Sequence, residues 1–331
     1  MKPSVAILEP VAATDTSRLD AEYRALTQGC GLVDRSERGK LALTGSGAKE
    51  FLAGQVTNDT EALVPGEGCY AAFLTPKGKM LGDLRILDRG EELLLDTERS
   101  ALQALFDMIR RFKIGYDVEL HKRTVERGLL SLLGPDAARI ASAEALPAVE
   151  HANAAVEIDG IAAIVARTDT GVDLLCDAAD TERLAKALRE RGAAPVCEEA
   201  AEIVRVEHGR PRYGIDLDET VIPQEAGLNE RAVSFTKGCY VGQETVARLH
   251  YRGKPNRHLR GLRLTAPAEP GAELRLGERP VGRLTSSVLS PAHGPIGLAL
   301  VRREAEPGAS VSVGEHGAEA EVAVPPFDSL A

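Results

Sequence analysis

Tryptophan is absent from the 331-residue chain, and aromatic residues make up only 4% of it. That argues against a stacking platform for single-stranded nucleic acid. The net charge of −10 disfavours a protein that coats nucleic acid, which needs a broad basic face. The five cysteines (Cys30, Cys69, Cys176, Cys197 and Cys239) are odd in number and widely spaced, with no C-x-x-C pair. A disulfide framework and a sequence-local zinc or iron–sulfur site are therefore not expected. None of the seven histidines forms an H-x-x-x-H pair, so no metal ligands are assigned. There is no G-x-G-x-x-G or P-loop, and Gly45-Ser-Gly47 alone is too little to mean phosphate binding. No run reaches the length of a membrane span. Met1 to Asp15 lacks a basic segment followed by an apolar core, so no signal peptide is expected. The expected compartment is a reducing cytoplasm, without membrane association.

What is present is an ordinary globular balance, 44% apolar and 27% charged residues, over a length that suggests two or three domains. Helical spacing marks Arg18 to Gln28, Arg99 to Phe112, Thr181 to Arg191, Pro195 to His208 and Gln243 to His250. Leu102, Leu105, Phe106 and Ile109 should face inward on the second of these, and Leu184 and Leu188 on the third. Cys69 to Leu74 and Met80 to Leu87 read as a hairpin about Thr75-Pro-Lys-Gly78. A weak repeat is visible. Leu41 to Gly45 before a helix near Ala48 resembles Leu130 to Gly134 before a helix near Ala137. Both read strand, glycine turn, helix, which predicts two related α+β halves with a cleft between them. After Lys254-Pro255 six short strands with Gly, Pro and Ser turns and no helix predict a small antiparallel barrel. The expected organisation is α+β, with residues 1–254 as two interleaved α+β units and 255–331 as the barrel.

The stretch Ser234 to Gly253 concentrates chemistry. Val233 to Phe235 reads as a short strand, followed by Lys237-Gly-Cys-Tyr240, Gly242 and a helix. A helix start and a nearby lysine favour thiolate at Cys239. The alternative is a glycine-flanked turn around a buried structural cysteine. A basic run follows, Arg248, Arg252, Lys254, Arg257 and Arg260. It suits a polyglutamate tail, tRNA or an acidic partner, or is simply solvated.

Lys237-Gly-Cys-Tyr-Val-Gly-Gln-Glu244 resembles the signature of the YgfZ-like branch of the folate-binding T-protein superfamily. Weaker blocks agree, namely Gly31-Leu-Val-Asp34, Val56-Thr-Asn-Asp59, Glu207-x-Gly-Arg-Pro-x-Tyr-Gly214, Ile222-Pro-Gln-Glu225, Val281 to Ser286 and Pro325 to Asp328. The resemblance implies a ring of α+β units and a terminal barrel, with tetrahydrofolate or a derivative in the central channel. It places Glu207 on the pterin, Tyr70 against it, Asn58 in the adjoining loop, and Lys237 and Arg248 toward the acidic tail. The aminomethyltransferases of the superfamily carry paired aspartates after the first hairpin, of which the first is catalytic. Here the pair reads Gly82-Asp83, which implies lost glycine-cleavage chemistry and leaves Cys239 as the reactive group. The function implied is a folate-binding accessory factor for iron–sulfur cluster assembly or repair and tRNA modification. Its partners would be iron–sulfur enzymes or assembly proteins, with tRNA contacted only indirectly or weakly. The alternatives are a folate-dependent aminomethyl or one-carbon transferase, and a non-catalytic interaction scaffold.

Overall fold

The computed structural model describes residues 12–315 and 317–327; His316, Asp328 and most of Met1 to Asp15 lie outside them. Two sheets form the body. The first has five antiparallel strands in the order Gly68–Leu74, Met80–Asp88, Leu93–Thr97, Gly39–Thr44, Glu119–Lys122. The second has six, ordered Ala194–Pro195, Gly31–Asp34, Arg127–Leu133, Gly171–Asp177, Ile161–Arg167, Asn153–Ile158. Only its first pair is parallel.

The repeat holds. Gly39–Thr44 runs through Gly45 into a helix at Ala48–Ala53, and Arg127–Leu133 runs through Gly134 into one at Ala137–Ile140. Each belongs to a different sheet, so the two halves do face each other. Leu87 and Leu94 of one sheet pack on Leu129, Ala166 and Leu175 of the other. Helices cover the outer faces. On Leu102–Phe112 the fully buried residues are Leu105 and Ile109, while Leu102 and Phe106 are partly buried. Each fully buried aliphatic side chain of this kind contributes about 1.5–3 kcal/mol. On Thr181–Glu190, Leu184 and Leu188 are buried as their spacing predicts.

The six strands between Arg257 and Ala323 close into an antiparallel barrel. It is anchored on the body by Leu259 N–H donating to Glu225 O at 2.7 Å and by Arg205 donating to Ser286 Oγ at 2.7 Å.

Two local expectations change. The helix expected from Pro195 begins at Glu198, because Ala194–Pro195 pairs as a strand with Gly31 and Leu32. Val233 to Phe235 is not a strand. Val56 and Thr57 already lie along the outer side of Gly68–Leu74, with Thr57 N–H on Ala72 O at 2.9 Å. No sheet edge remains there, and Ser234 N–H reaches only Thr57 O.

Candidate active site

The antiparallel hairpin fixes which side chains share a face. Gly82 stands opposite Phe73, Asp83 opposite Ala72 and Arg85 opposite Tyr70. With a period of two, residues 82, 84 and 86 face one way and 83 and 85 the other. Leu84 and Ile86 lie in the apolar core with Phe73. A Cβ added at Gly82 would come within 2.5 Å of the Phe73 ring and 2.6 Å of Ala101 Cβ, so position 82 also faces that core. Asp83, Arg85 and Tyr70 face a cavity of about 210 Å³ between the two sheets. The expectation that glycine at 82 removes the carboxylate from this strand's face of the site is therefore corrected, because Asp83, and not position 82, is the residue of the pair that lines the cavity.

Asp83 is buried, and Tyr70 donates its hydroxyl to Asp83 Oδ2 at 2.6 Å. Burial pushes the Asp83 carboxyl up to about 6, although the Tyr70 hydrogen bond works the other way. Burial and the neighbouring Asp83 charge raise the Tyr70 hydroxyl well above the ordinary tyrosine value, so it remains a donor. The Arg231 guanidinium lies 5.3 Å from the centre of the Tyr70 ring and pairs with Glu150.

Behind these groups runs an ion network that stitches the sheets. Arg85 bridges Asp96 at 2.9 Å and Asp173 at 2.6 Å, one on each sheet. Arg38 grips both oxygens of Asp96 and reaches Glu98. Ser131 donates to Asp173 Oδ1 at 2.6 Å. Arg38 and Arg85 hold Asp96 below the usual carboxylate range against the opposing effect of its burial.

Four cavity residues keep a buried polar atom without a protein partner, namely Arg85 Nε, Arg231 Nε, His151 Nδ1 and Thr168 Oγ1. Buried polar atoms are satisfied as a rule, and here four unsatisfied ones belong to residues that line one hollow, which suits a polar ligand. His151 is held neutral, its pKa lowered to about 3 by burial and by the charges of Arg85 and Arg231. Its ring nitrogen can donate or accept according to tautomer. Donors from guanidinium and a two-way ring nitrogen match the mixed donors and acceptors of a pterin, so these residues fit tetrahydrofolate.

The site residues expected from sequence fall in different places. Tyr70 lines the cavity. Glu207 lines an adjoining hollow instead, which shares Leu133, Thr168, Asp169 and Thr170 with the first. Both its oxygens are engaged, by Ser290 Oγ at 2.5 Å and Tyr23 OH at 3.2 Å. Lys237 is turned away from the cavity. Its ammonium donates to the carbonyl oxygens of Ala53, Val56 and Asn58, and burial lowers its pKa to about 8. Its three donors satisfy a turn that would otherwise leave those carbonyls bare, so it braces the loop rather than meeting a ligand. Asn58 spends its amide on the Tyr70 and Arg231 carbonyls and accepts from Asp59 N–H, which is turn chemistry. Arg248 is exposed on the helix Gln243–Arg252 and does not line the cavity. Cys239 is exposed, four residues before that helix, and is likewise outside the cavity.

The signature glycine has a packing reason. Gly242 precedes the helix with φ +87°, and a Cβ there would meet Thr75 O at 2.7 Å and Gly78 Cα at 3.1 Å. The signature thus seats the helix start against the Thr75–Gly78 turn. Sequence reading missed His151, Arg231, Arg38 and Arg85. Only Arg85 had a usable signal, two residues from Asp83 on one strand face.

A two-sheet α+β body with a polar cavity between the sheets and a closed antiparallel barrel defines a class of protein. Residues 11–237 match the GCVT N-terminal domain, and residues 257–328 match the glycine cleavage T-protein C-terminal barrel domain; the chain belongs to this glycine-cleavage T-protein family. The aminomethyltransferase of Rubrobacter xylanophilus is 32% identical over 320 residues, covering 93% of this chain and 86% of its own length. A chloroplastic protein of Arabidopsis thaliana, named only as a candidate transferase, is 30% identical over 309 residues, covering 89% and 71%. The crystal structure of the glycine cleavage system aminomethyltransferase T from Bartonella henselae superposes with a TM-score of 0.83 at 24% identity, covering 94% of this chain and 89% of that one. This likeness shows the fold. No helix among the described residues is long and apolar enough to cross a membrane.

Proposed function

We propose that the protein binds tetrahydrofolate in the cavity between its sheets and transfers a one-carbon unit of the aminomethyl kind to it. The observation that carries this reading is Asp83, a buried carboxyl pushed up to about 6 in a cavity whose other lining residues carry four unpartnered polar atoms. Tetrahydrofolate supplies the nitrogen that accepts the one-carbon unit. Asp83 supplies the proton traffic. Its Oδ2 is held by Tyr70, and Oδ1 takes no protein hydrogen bond among the described residues, so Oδ1 is the atom that holds or releases a proton toward the cavity. A carboxyl titrating near 6 exchanges protons readily at neutral pH. Arg85 fixes the wall behind it by tying the two sheets together, and half-buried Tyr70 with buried His151 limits water.

The test pairs calorimetric titration of tetrahydrofolate with an assay of folate-dependent ammonia release from an aminomethyl donor. Binding and turnover in the native protein, with binding kept and turnover lost in Asp83→Asn, support the reading. Absence of tetrahydrofolate binding at millimolar ligand overturns it.

A second reading is favoured by Cys239, the one exposed cysteine among the five, set in the signature segment. On that reading the protein is a folate-dependent accessory factor for iron–sulfur enzymes, in a reducing cytoplasm, and Cys239 is its point of contact with them. Loss of client enzyme activity in a cell carrying Cys239→Ser, with ammonia release unchanged, would favour it. Client activity unaffected by that substitution removes Cys239 from the mechanism.

A further inference from the structure

The basic run after the signature divides in the folded chain. Arg257 is committed, since its guanidinium pairs with both oxygens of Glu225 at 3.1 and 2.9 Å and with Thr220 O. Lys254 and Arg260 are not committed in this way. With His258 and Arg303 they line a notch of about 550 Å³ formed by the linker Lys254-Pro255, the first barrel strand and the turn Arg303 to Pro307. The strand pairing explains the gathering. His258 and Arg260 lie two apart on one face of Arg257–Leu264, and Arg303 N–H bonds Asn256 O, which folds the turn back over them.

Among the described residues, none of Lys254, Arg260 or Arg303 meets a carboxylate within ion-pair distance. Arg260 donates only to the carbonyl of its neighbour Leu259. Two acidic residues line the same notch. Glu304 is paired with Arg279 at 3.0 Å, outside the cluster, and Glu306 is exposed. The electrostatic consequence is visible at the half-buried members. Burial lowers the Arg260 pKa with no compensating acid, and burial followed by the Arg260 charge lowers that of His258. Most other half-buried arginines in the molecule are matched with carboxylates, as Arg35, Arg38, Arg205 and Arg212 are. The Arg303 charge reaches Glu304 and the Glu225 charge reaches His258, so the notch is not bare of acid, but half-buried Arg260 has no carboxylate partner. A concave group of cations without a direct ion pair, in a chain whose net charge is −10, suits an anion.

We propose that this notch is a second binding site, separate from the central cavity, for a phosphate-type oxyanion. The two cavities share no lining residue. Arg260 supplies a planar fork of donors, Arg303 and Lys254 supply mobile charge at the rim, and the His258 imidazole donates once the anion sits beside it. A free phosphate and the phosphate of a larger ligand share this chemistry.

The test uses the full-length protein and inorganic phosphate, with chloride at equal ionic strength as control. Phosphate is expected to raise the melting midpoint saturably and to shift the His258 ring signals in the proton spectrum. Arg260→Gln with Arg303→Gln is expected to weaken phosphate binding by about tenfold or more while leaving tetrahydrofolate binding unchanged. A nucleoside monophosphate that binds more tightly than phosphate, with the same loss in the double variant, assigns the site to a phosphate carried on a larger ligand. Phosphate affinity unaltered in the double variant overturns the proposal, as does displacement of phosphate by tetrahydrofolate. Should the double variant fail to fold, Lys254→Gln, at an exposed position, and the His258 signals decide between the same two outcomes: binding weakens and the signals move, or the site is not there.

Discussion

Tyr70 and Asp83 meet diagonally across an antiparallel pair, hydroxyl to carboxylate at 2.6 Å, because Ala72 rather than Tyr70 stands directly opposite Asp83. The diagonal lets the ring span the gap that a directly opposed pair would close, and it leaves one carboxylate oxygen facing the cavity.

Asp83→Asn should fold and bind tetrahydrofolate but lose turnover by about 100-fold or more, the usual range for a missing proton-transfer group. Its pH dependence of stability should change as well. The unfolded carboxyl has the ordinary value of 3.8 and the folded one about 6. Between those values the folded chain holds a proton that the unfolded chain has released, so stability falls as pH rises through this window and levels off above it. Denaturant melts from about pH 4 to 7 should show that slope in the native protein and a flatter curve in the variant. At pH 7 the variant should be the more stable by on the order of 2 kcal/mol.

Tyr70→Phe keeps the ring under Arg231 and removes only the hydroxyl. That hydroxyl lowers the Asp83 pKa, so its loss should raise the carboxyl further above about 6. The acid limb of the pH–rate profile should move upward by a measurable fraction of a pH unit. An unmoved limb would mean that Asp83 is not the group being read.

Gly82→Asp restores the paired aspartates by sequence. Geometry predicts injury instead of rescue, because the new side chain points at Phe73 and Ala101 within the core. Overpacking and a buried charge should together cost about 3 kcal/mol or more, read as a lowered denaturation midpoint. A gain in turnover would show that position 82 reaches the cavity after all.

Lys237→Met leaves the carbonyls of Ala53, Val56 and Asn58 without their donor. A stability loss of about 1–3 kcal/mol is expected. Tetrahydrofolate affinity should stay within twofold in calorimetry, which separates bracing from ligand contact; a loss above tenfold would return Lys237 to the site.

The architecture was largely legible in sequence because it rests on local patterns. The strand–glycine–helix repeat, the Thr75–Gly78 hairpin and the close spacing of the barrel strands are each read within a few residues. The site was legible only in part. Tyr70 is assigned through the family resemblance, and it does line the cavity. Lys237 and Asn58 misled because their contacts are carbonyl oxygens brought near by folding, which no spacing reveals. His151 and Arg231 lie far from the hairpin in sequence; the facing of the two sheets brings His151 to the cavity, and the packing of the helix Asn229–Ala232 on Gly68–Leu74 brings Arg231. The Gly82-Asp83 pair was misread through the choice of which neighbour faces the ligand, a question that strand register alone decides.

The interleaving of the two sheets also sets an order of assembly. Every strand of the five-stranded sheet lies between Gly39 and Lys122, so that sheet can form from one continuous segment. The six-stranded sheet needs Gly31–Asp34 to wait for Arg127–Leu133 and then for Ala194–Pro195. During synthesis the first sheet can be complete while the strand that precedes it is still unpaired, held with an open edge until the chain has emerged as far as Pro195. Part of the cavity that carries Asp83 is lined by residues that emerge later still, Arg205, Pro211, Arg212, Tyr213 and Arg231, so a chain truncated before Ala194 would have the carboxylate without that part of its enclosure.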